Sequence, residues 1–152
     1  MKTEVLFSSR SDEWETPQDL FDSLDDEFHF TLDPASTDEN AKCEYHFTKA
    51  ENGLEKNWGG HTVFCNPPYG RGIKTWVEKG YTESKKPETT VVMLLPARTD
   101  TRWFHEYCCK GKIRFFKGRL RFGNATENAP FPSMLVIFGG YHNETHKTEN
   151  GD

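Results

Sequence analysis

Long apolar runs are missing from this chain of 152 residues. Its longest near-continuous apolar run, residues 89–95, falls far short of the roughly 20 residues that a membrane-spanning helix needs. The N-terminus has no signal-peptide pattern. The cysteines form neither a Cys-x-x-Cys pair nor a disulfide framework; they are Cys43, Cys65, Cys108 and Cys109. These absences predict a soluble cytoplasmic protein that contacts no membrane and works in a reducing compartment.

Two pairs of residues have the spacing of zinc ligands. They are Cys43-x-x-His46 and His105-x-x-Cys108. The two pairs fall in different predicted segments, and buried cysteines beside surface histidines account for them more simply. We therefore predict no metal site.

Basic residues are scarce in the first half of the chain and crowded in the second. Residues 1–70 carry 5 Lys and Arg against 15 Asp and Glu, whereas residues 71–152 carry 14 against 9. Residues 110–121 contain 6 basic side chains and no acidic one, and these alternate on either side of a predicted turn at Lys117-Gly118. The turn is predicted to place two basic pairs side by side on a β-hairpin that contacts DNA phosphates. The candidate DNA-binding residues are Arg98, Arg102, Lys112, Arg114, Lys117, Arg119 and Arg121.

Hydrophobic patterns predict an alternation of helices and strands. A helix is expected to begin at Thr16-Pro17, with others over 71–85 and 99–109. The predicted strands are 28–32, 44–48, 62–65, 89–95, 113–116, 120–122 and 134–138. This order favours one α/β domain over residues 13–140, with a mostly parallel sheet and an antiparallel C-terminal hairpin. A flexible N-terminus (1–12) and a polar tail (141–152) flank it.

The predicted strand over residues 62–65 runs into Asn66-Pro67-Pro68-Tyr69. The side-chain oxygen of Asn66 can accept one N–H of a planar exocyclic amine, and the carbonyl oxygen of Pro67 can accept the other. Adjacent prolines fix φ and hold both acceptors in place. Tyr69 offers a ring on which a base taken out of a duplex can stack. The simpler alternative is a strand that ends in a Pro-Pro turn, with Tyr69 covering the core.

Together with its neighbours, this motif resembles a known family. Asn66-Pro67-Pro68-Tyr69 is similar to the catalytic motif of amino-methyltransferases that use S-adenosylmethionine, and residues 12–138 resemble the small phage-type DNA N6-adenine methyltransferases. The other blocks that carry the resemblance are Glu13-Trp14-Glu15-Thr16-Pro17, Leu32-Asp33-Pro34-Ala35, Asn40-Ala41-Lys42-Cys43, Leu94-Leu95-Pro96-Ala97-Arg98-Thr99-Asp100-Thr101 and Ala129-Pro130-Phe131-Pro132-Ser133. The resemblance implies a compact Rossmann-like class I methyltransferase fold, S-adenosylmethionine as the cofactor and double-stranded DNA as the partner. It leaves a monomer or a weak dimer open.

The resemblance also implies which residues hold the cofactor. Trp14, Thr16 and Pro17 are similar to the block that faces its methionine end, where the start of a helix supplies free N–H groups for the carboxylate. An ordinary helix cap explains the same residues. Asp33, followed by Pro34 and Ala35, resembles the motif I acid that pairs with the ammonium group. The Gly-rich turn of the wider methyltransferase pattern is absent after Asp33.

The ribose or adenine of the cofactor is expected to meet a carboxylate after the second predicted strand. The candidate is Glu51, with Asp38 and Glu39 as alternatives.

The sequence thus predicts methylation of the N6 amine of adenine in DNA after base flipping. One alternative is the same fold acting on cytosine N4, an RNA base or a protein glutamine. Another is a nucleic-acid-binding protein that has lost catalysis.

Overall fold

A computed structural model of the chain describes residues 13–139, so the predicted flexible N-terminus and polar tail lie outside the described residues. Within this range the α-helices are α1 (Gln18–Phe28), α2 (Ile73–Glu83) and α3 (Arg102–Glu106). The strands are β1 (Thr62–Cys65), β2 (Thr90–Pro96), β3 (Lys112–Phe115) and β4 (Ser133–Gly139). Short 3-10 helices cover Gly53–Glu55 and Cys108–Lys110. No helix in residues 13–139 has the length and apolar character needed to cross a bilayer.

The strands form one mixed sheet in the order β1-β2-β4-β3. β1 and β2 are parallel, with Val63 opposite Val91, whereas β4 is antiparallel to both of its neighbours. The prediction of an α/β fold is confirmed, but the mostly parallel sheet is wrong. Every residue of β2 is buried, and such a run fits between antiparallel neighbours as well as between parallel ones. Its sequence therefore carried no information about the direction of β4.

The predicted antiparallel pairing at the C-terminal end is confirmed, since β3 pairs with β4. The tight hairpin through Lys117-Gly118 is wrong, because residues 120–122 form no strand. The carbonyl of Leu120 accepts a hydrogen bond from the N–H of Ala129, and Phe122 is buried in the core. Long-range pairing and the burial of Phe122 outweigh the local turn signal at Lys117-Gly118. The two basic pairs consequently do not lie side by side on a ribbon.

The first two predicted strands shrink to single bridges. α1 continues to Phe28 and ends at His29, whose φ of 60° stops the helix in the left-handed region. Leu32 then bridges to Val63, and Asp33 bridges to His46, both in the parallel sense. Residues 28–32 and 44–48 are therefore mostly irregular, although their bridges still place Asp33 beside the end of β1.

The helices cover opposite faces of the sheet. Phe21 of α1 packs on Phe64 of β1 with ring centroids 5.2 Å apart, while Tyr81 of α2 packs on Phe138 of β4 at 5.6 Å. β1, β2 and β3 all end at one edge, where β4 begins, because Pro96 lies opposite Ser133 and Phe115 opposite Met134. We call this the carboxyl edge.

Glu83, at the end of α2, joins the helix to the segment before β1. Its carboxylate accepts the buried N–H of Trp58 at 2.7 Å and pairs with Lys79 at 3.3 Å and Lys86 at 2.9 Å. Burial alone raises the pKa of Glu83, but these hydrogen bonds and charges reverse the effect and lower it.

We expect Glu83→Ala to lower the free energy of unfolding by about 1–3 kcal/mol, since the buried N–H of Trp58 loses its acceptor. Chemical denaturation is the measurement, and Glu127→Ala, at an exposed loop position, is the matched control. Equal stability of the two variants would contradict this role for Glu83.

Candidate active site

A cavity of about 490 Å³ opens at the carboxyl edge beside the end of β1. Its walls come from the segment before α1, the irregular stretch between Asp33 and Leu54, the residues that follow β1, and Trp76 of α2. Among the cavity-lining residues are eight that the sequence predicted: Trp14, Thr16, Asp33, Pro34, Ala35, Asn66, Pro67 and Pro68. Residues far apart in sequence thus meet in one pocket, whose size is typical of small-molecule sites at about 300–1,000 Å³.

Asn66 is held at this cavity by both hydrogens of its side-chain amide. Its Nδ2 donates to the carbonyl oxygen of Trp14 at 2.5 Å and to Oγ1 of Thr16 at 2.9 Å. A carbonyl oxygen can only accept, so the nitrogen of the amide must face Trp14. Oδ1 of Asn66 is then buried and has no hydrogen-bond partner among the described residues. Buried polar atoms are nearly always paired, so an orphan acceptor on a cavity wall points to a ligand.

Asp33 places a buried carboxylate on the same cavity. Only 3% of the residue is exposed, and its oxygens accept hydrogen bonds from the backbone N–H of Lys42 at 2.9 Å and of Ala35 at 3.3 Å. Burial raises the pKa of Asp33 above its usual value, and the two backbone hydrogen bonds oppose this effect. A cation bound beside Asp33 would stabilise the ionised form.

The turn at Gly53 packs directly against Pro34. A Cβ on Gly53 would lie 2.1 Å from the carbonyl oxygen of Pro34, so no side chain fits there. Nε1 of Trp58 donates to the carbonyl of Gly53 at 3.0 Å, and Trp58 is fully buried. This contact brings the backbone at Gly53 close to the residues after Asp33, where the Gly-rich turn is absent.

His46 ties together the loop on one side of the cavity. Its Nε2 faces the Asp38 carboxylate at 2.9 Å, and its Nδ1 faces the carbonyl oxygens of Glu44 at 2.8 Å and Cys43 at 3.2 Å. All three partners are acceptors, and this arrangement favours the protonated imidazole, in which both ring nitrogens donate. The hydrogen bond to Asp38 and then that to Glu44 raise the pKa of His46.

These contacts engage both ring nitrogens of His46, the histidine of the first zinc-like pair. In the second pair, Nε2 of His105 donates to the carbonyl of Thr99 and Cys108 is buried. Within residues 13–139, no three His, Cys, Asp or Glu side chains come together as metal ligands.

Tyr69 lies in the interior rather than on the cavity wall. It is 3% exposed, and its hydroxyl donates to the carbonyl oxygen of Leu94 at 3.1 Å. Phe131 and Phe122 pack edge-on against its ring at 5.7 Å and 6.4 Å between centroids. Burial raises the pKa of Tyr69 well above its usual value, although the nearby Arg98 opposes this. The face predicted for base stacking is therefore covered in the described conformation.

Two of the predicted cofactor-binding residues, Pro17 and Glu51, do not line the cavity. Pro17 occupies the N-cap position of α1 and offers no side-chain cap, so Thr16 is not the helix cap that the sequence allowed. Glu51 is exposed, and its Oε1 accepts from the backbone N–H of Thr48 at 2.8 Å, closing a local turn. Of the alternatives to Glu51, Asp38 is paired with His46. The ribose contact stays a prediction.

The sequence did not predict most of the cavity lining that comes from the irregular stretch between Asp33 and Leu54. From this stretch, the further residues on the cavity are Ser36, Thr37, Asn40, Lys42, Thr48, Lys49, Asn52, Gly53 and Leu54. They lie in irregular backbone, where no hydrophobic period marks one face. Ser36 could have been found only by its structure: its hydroxyl is buried and has no partner among the described residues.

The predicted DNA-binding residues differ in their surroundings. Arg114 makes a two-pronged ion pair with Glu27 of α1, at 2.8 Å and 2.5 Å. The remaining candidates are exposed. Arg98, Arg102, Lys117, Arg119 and Arg121 lie in the segments that follow β2 or β3, whereas Lys112 begins β3 at the opposite edge of the sheet.

Known proteins resemble this chain over most of its length. A family model described as DNA N-6-adenine-methyltransferase (Dam) matches residues 3–150. The DNA N-6-adenine-methyltransferase of Haemophilus phage HP1 (strain HP1c1) is 30% identical over 141 residues, which cover 86% of this chain and 80% of that protein. The protein of the same name from Escherichia phage T1 is 35% identical over 97 residues, 62% of this chain and 40% of that protein. The putative methyltransferase YfdM of Escherichia coli (strain K12) is 34% identical over 65 residues, 38% of this chain and 71% of that protein.

The contact between Gly53 and Pro34 gives a direct test of the cavity wall. We expect Gly53→Ala to lower the free energy of unfolding by about 1–3 kcal/mol, because the added methyl group must push the Pro34 carbonyl aside. Gly72→Ala is the control, since a Cβ there meets nothing within 4 Å and its φ of −81° suits any residue. A thermal melt of Gly53→Ala that matches that of Gly72→Ala would refute this packing.

Proposed function

Since the chain belongs to the DNA N-6-adenine-methyltransferase (Dam) family, we propose that it carries out this reaction with Asn66 as the group that binds the adenine amine. The activity is methylation of the N6 amine of adenine in DNA. The proposal adds the cofactor, the residues and the route by which the base reaches them.

The orphan Oδ1 of Asn66 is the observation that supports this proposal most. An exocyclic amine presents N–H donors, and Oδ1 is a buried acceptor without a partner. Because Nδ2 is already committed to Trp14 and Thr16, the amide cannot turn its nitrogen toward the substrate. Asn66 therefore offers an oxygen, which suits an amine and disfavours a carbonyl group.

The proposed reaction requires polarisation of the adenine N6 amine rather than its deprotonation by a base. Adenine N6 is a poor nucleophile because its lone pair is delocalised into the ring. When Oδ1 of Asn66 and the carbonyl oxygen of Pro67 accept its two hydrogens, the nitrogen turns pyramidal and its lone pair points out of the ring plane. An amide holds no extra proton at neutral pH, so Asn66 positions and polarises, and the proton leaves to solvent after the C–N bond has formed.

The lining of the cavity supports S-adenosylmethionine as the cofactor. The buried Asp33 carboxylate can hold its ammonium group. Thr16, the residue before the N-cap of α1, lines the cavity, so we propose that the cofactor carboxylate lies toward the start of this helix. Ser36, whose buried hydroxyl has no partner among the described residues, lines the same pocket. When bound, this cofactor supplies a methyl group on a sulfonium, which needs no metal to leave.

Base flipping requires a change at Tyr69. Taking adenine out of the duplex costs a few kcal/mol, and stacking on an aromatic ring returns about 1–3 kcal/mol per base. Phe122 and Phe131 cover Tyr69, so we propose that these rings move aside as the base enters. Tyr69→Ala would empty a core position at the same time, which makes it a poor test of stacking.

DNA contact is assigned to the exposed arginines and lysines of the carboxyl edge. Arg98 follows β2 directly, and Arg119 and Arg121 lie in the segment between β3 and β4. These cations sit on the side of the sheet where the cavity opens, which suits a duplex whose flipped base enters there.

Purified protein, S-adenosylmethionine and plasmid DNA test the function by mass spectrometry of the released nucleosides. We expect N6-methyladenine, and Asn66→Ala should lower its rate of formation by about 10²- to 10³-fold. Asn57→Ala is the control, because Asn57 is exposed before β1, away from the carboxyl edge. N4-methylcytosine as the product would move the activity to the first alternative, and no methylated base at all would favour a binding protein.

Asn66→Asp separates polarisation from base catalysis. A carboxylate cannot donate to the Trp14 carbonyl, so we expect this variant to lose the fixed acceptor and to be impaired like Asn66→Ala. If residue 66 served as a general base, Asn66→Asp would instead match or exceed the unmodified protein.

The raised pKa of Asp33 predicts two opposite responses to pH. In the free chain, the stability that the raised pKa contributes is complete below the unfolded value and is lost as the pH rises through the folded value. Affinity for S-adenosylmethionine should change the other way, because only the ionised carboxylate attracts the ammonium group. Calorimetry at a series of pH values should show weaker binding as the pH falls through this range, and Asp33→Asn should remove the dependence. Binding that strengthens on acidification would exclude the pairing.

A further inference from the structure

We propose that Thr16 is a positioning residue: the Trp14 carbonyl sets which end of the Asn66 amide is the acceptor, and the Thr16 hydroxyl fixes the rotation that aims this acceptor at the adenine. The proposal rests on the function proposed above. It concerns residues 13–16, which we call the brace, because this segment lies between Asn66 on one side and Gly123 and Asn124 on the other.

Thr16 meets Asn66 in a buried environment. Its hydroxyl oxygen accepts from Nδ2 of Asn66 at 2.9 Å, and only 5% of Thr16 is exposed. The Trp14 carbonyl takes the other hydrogen. Two acceptors on one NH₂ group fix both the rotation of the amide and its flip state, so the direction of Oδ1 is decided before any substrate arrives.

The far side of the brace is held just as closely. The N–H of Gly123 donates to the carbonyl of Glu15 at 2.7 Å. The Asn124 amide uses both ends, accepting from the N–H of Glu15 at 3.0 Å and donating to the carbonyl of Glu13 at 2.8 Å. The Trp14 ring packs on Phe122 and Phe131 at 5.5 Å and 5.2 Å.

The Thr16 hydroxyl is not engaged as a helix cap. Pro17 holds the N-cap position and α1 has no side-chain cap. The pairing with Asn66, 50 residues away, gives the hydroxyl a role in the reaction. A positioning residue of this kind acts on the rate of the chemical step, and it leaves substrate affinity largely unchanged.

The test compares Thr16→Val with Thr16→Ser. Valine keeps the shape and removes the acceptor, so kcat should fall by roughly 10- to 100-fold, with the Kd for S-adenosylmethionine and the KM for DNA unchanged. Serine restores the acceptor and should restore kcat. A kcat for Thr16→Val equal to that of the unmodified protein overturns the proposal, and so does a loss confined to cofactor affinity.

Thr89→Val is the matched control for a buried threonine. Thr89 is 2% exposed, accepts from the N–H of Gly60 at 2.8 Å and lies just before β2, at the opposite edge of the sheet. We expect this variant to lower the melting temperature without changing kcat. If Thr16→Val and Thr89→Val lose activity only in proportion to stability, Thr16 is structural and the proposal fails.

Asn124→Ala keeps the proposal testable if Thr16→Val does not fold, since Asn124 is only partly buried and belongs to a loop. It should reduce kcat and leave the Kd for S-adenosylmethionine unchanged, because it loosens the brace from its far side. Full activity in Asn124→Ala would contradict the brace. Where Thr16→Val folds, the loss in the double variant should be smaller than the product of the two single effects, because both act on one amide.

NMR of the Asn66 side-chain NH₂ group separates this proposal from the proposed function. In the free protein, we expect these two protons to exchange slowly with water and to have distinct chemical shifts. In Thr16→Val, the exchange rates and the chemical shifts of both protons should move toward those of a solvent-exposed Asn side chain. If these signals behave so while no methylated adenine forms, the brace stands and the function fails. Signals that Thr16→Val leaves unaltered overturn the brace whatever the activity.

Discussion

The geometry of the site depends on the side-chain amide of Asn66, which the brace holds by two hydrogen bonds. Asn66 uses both of its side-chain hydrogens on Trp14 and Thr16, so its buried oxygen Oδ1 is the polar atom of this side chain that stays unpaired among the described residues. This arrangement solves a problem that every carboxamide poses, since its two ends have nearly the same shape and opposite hydrogen-bonding roles. The diproline that follows the strand fixes the backbone, but it cannot choose between the ends of the side chain. The brace makes that choice.

The two sides of the cavity carry different kinds of chemical groups. The irregular stretch after Asp33 supplies charged and hydroxyl groups, and its backbone is held because Gly53 lies against Pro34 and His46 links Asp38 to residues 43 and 44. The Asn66 side supplies uncharged acceptors set against aromatic rings. Under the function proposed above, a cationic methyl donor and a neutral purine would find different surroundings in one pocket and would meet at Asn66.

Local patterns in the sequence predicted the elements well and their assembly poorly. All four strands lie within one residue of their expected limits, and three of them, β1, β2 and β4, are buried apolar runs that leave few other options. The place of β4 between β2 and β3, and the ion pair of Arg114 with Glu27 across 87 residues, arise from long-range packing that no local window contains. The motif residues were recognisable by their chemistry. For Thr16 the sequence indicated a cofactor contact or a helix cap, and it did not indicate the pairing with Asn66, which lies 50 residues further on.

The segment between β3 and β4 combines exposed cations with residues that contact the brace. Its first part carries Arg119 and Arg121 on the surface, and its next residues, Phe122 to Asn124, pack on or bond to the brace. Arg121 is adjacent to Phe122, which covers Tyr69 and packs on Trp14 of the brace. If Arg121 binds a phosphate as proposed above, a shift of this backbone would act both on the cover of Tyr69 and on the brace that aims Asn66. The proposed function would then couple DNA binding and alignment of the amide through a few residues of one loop.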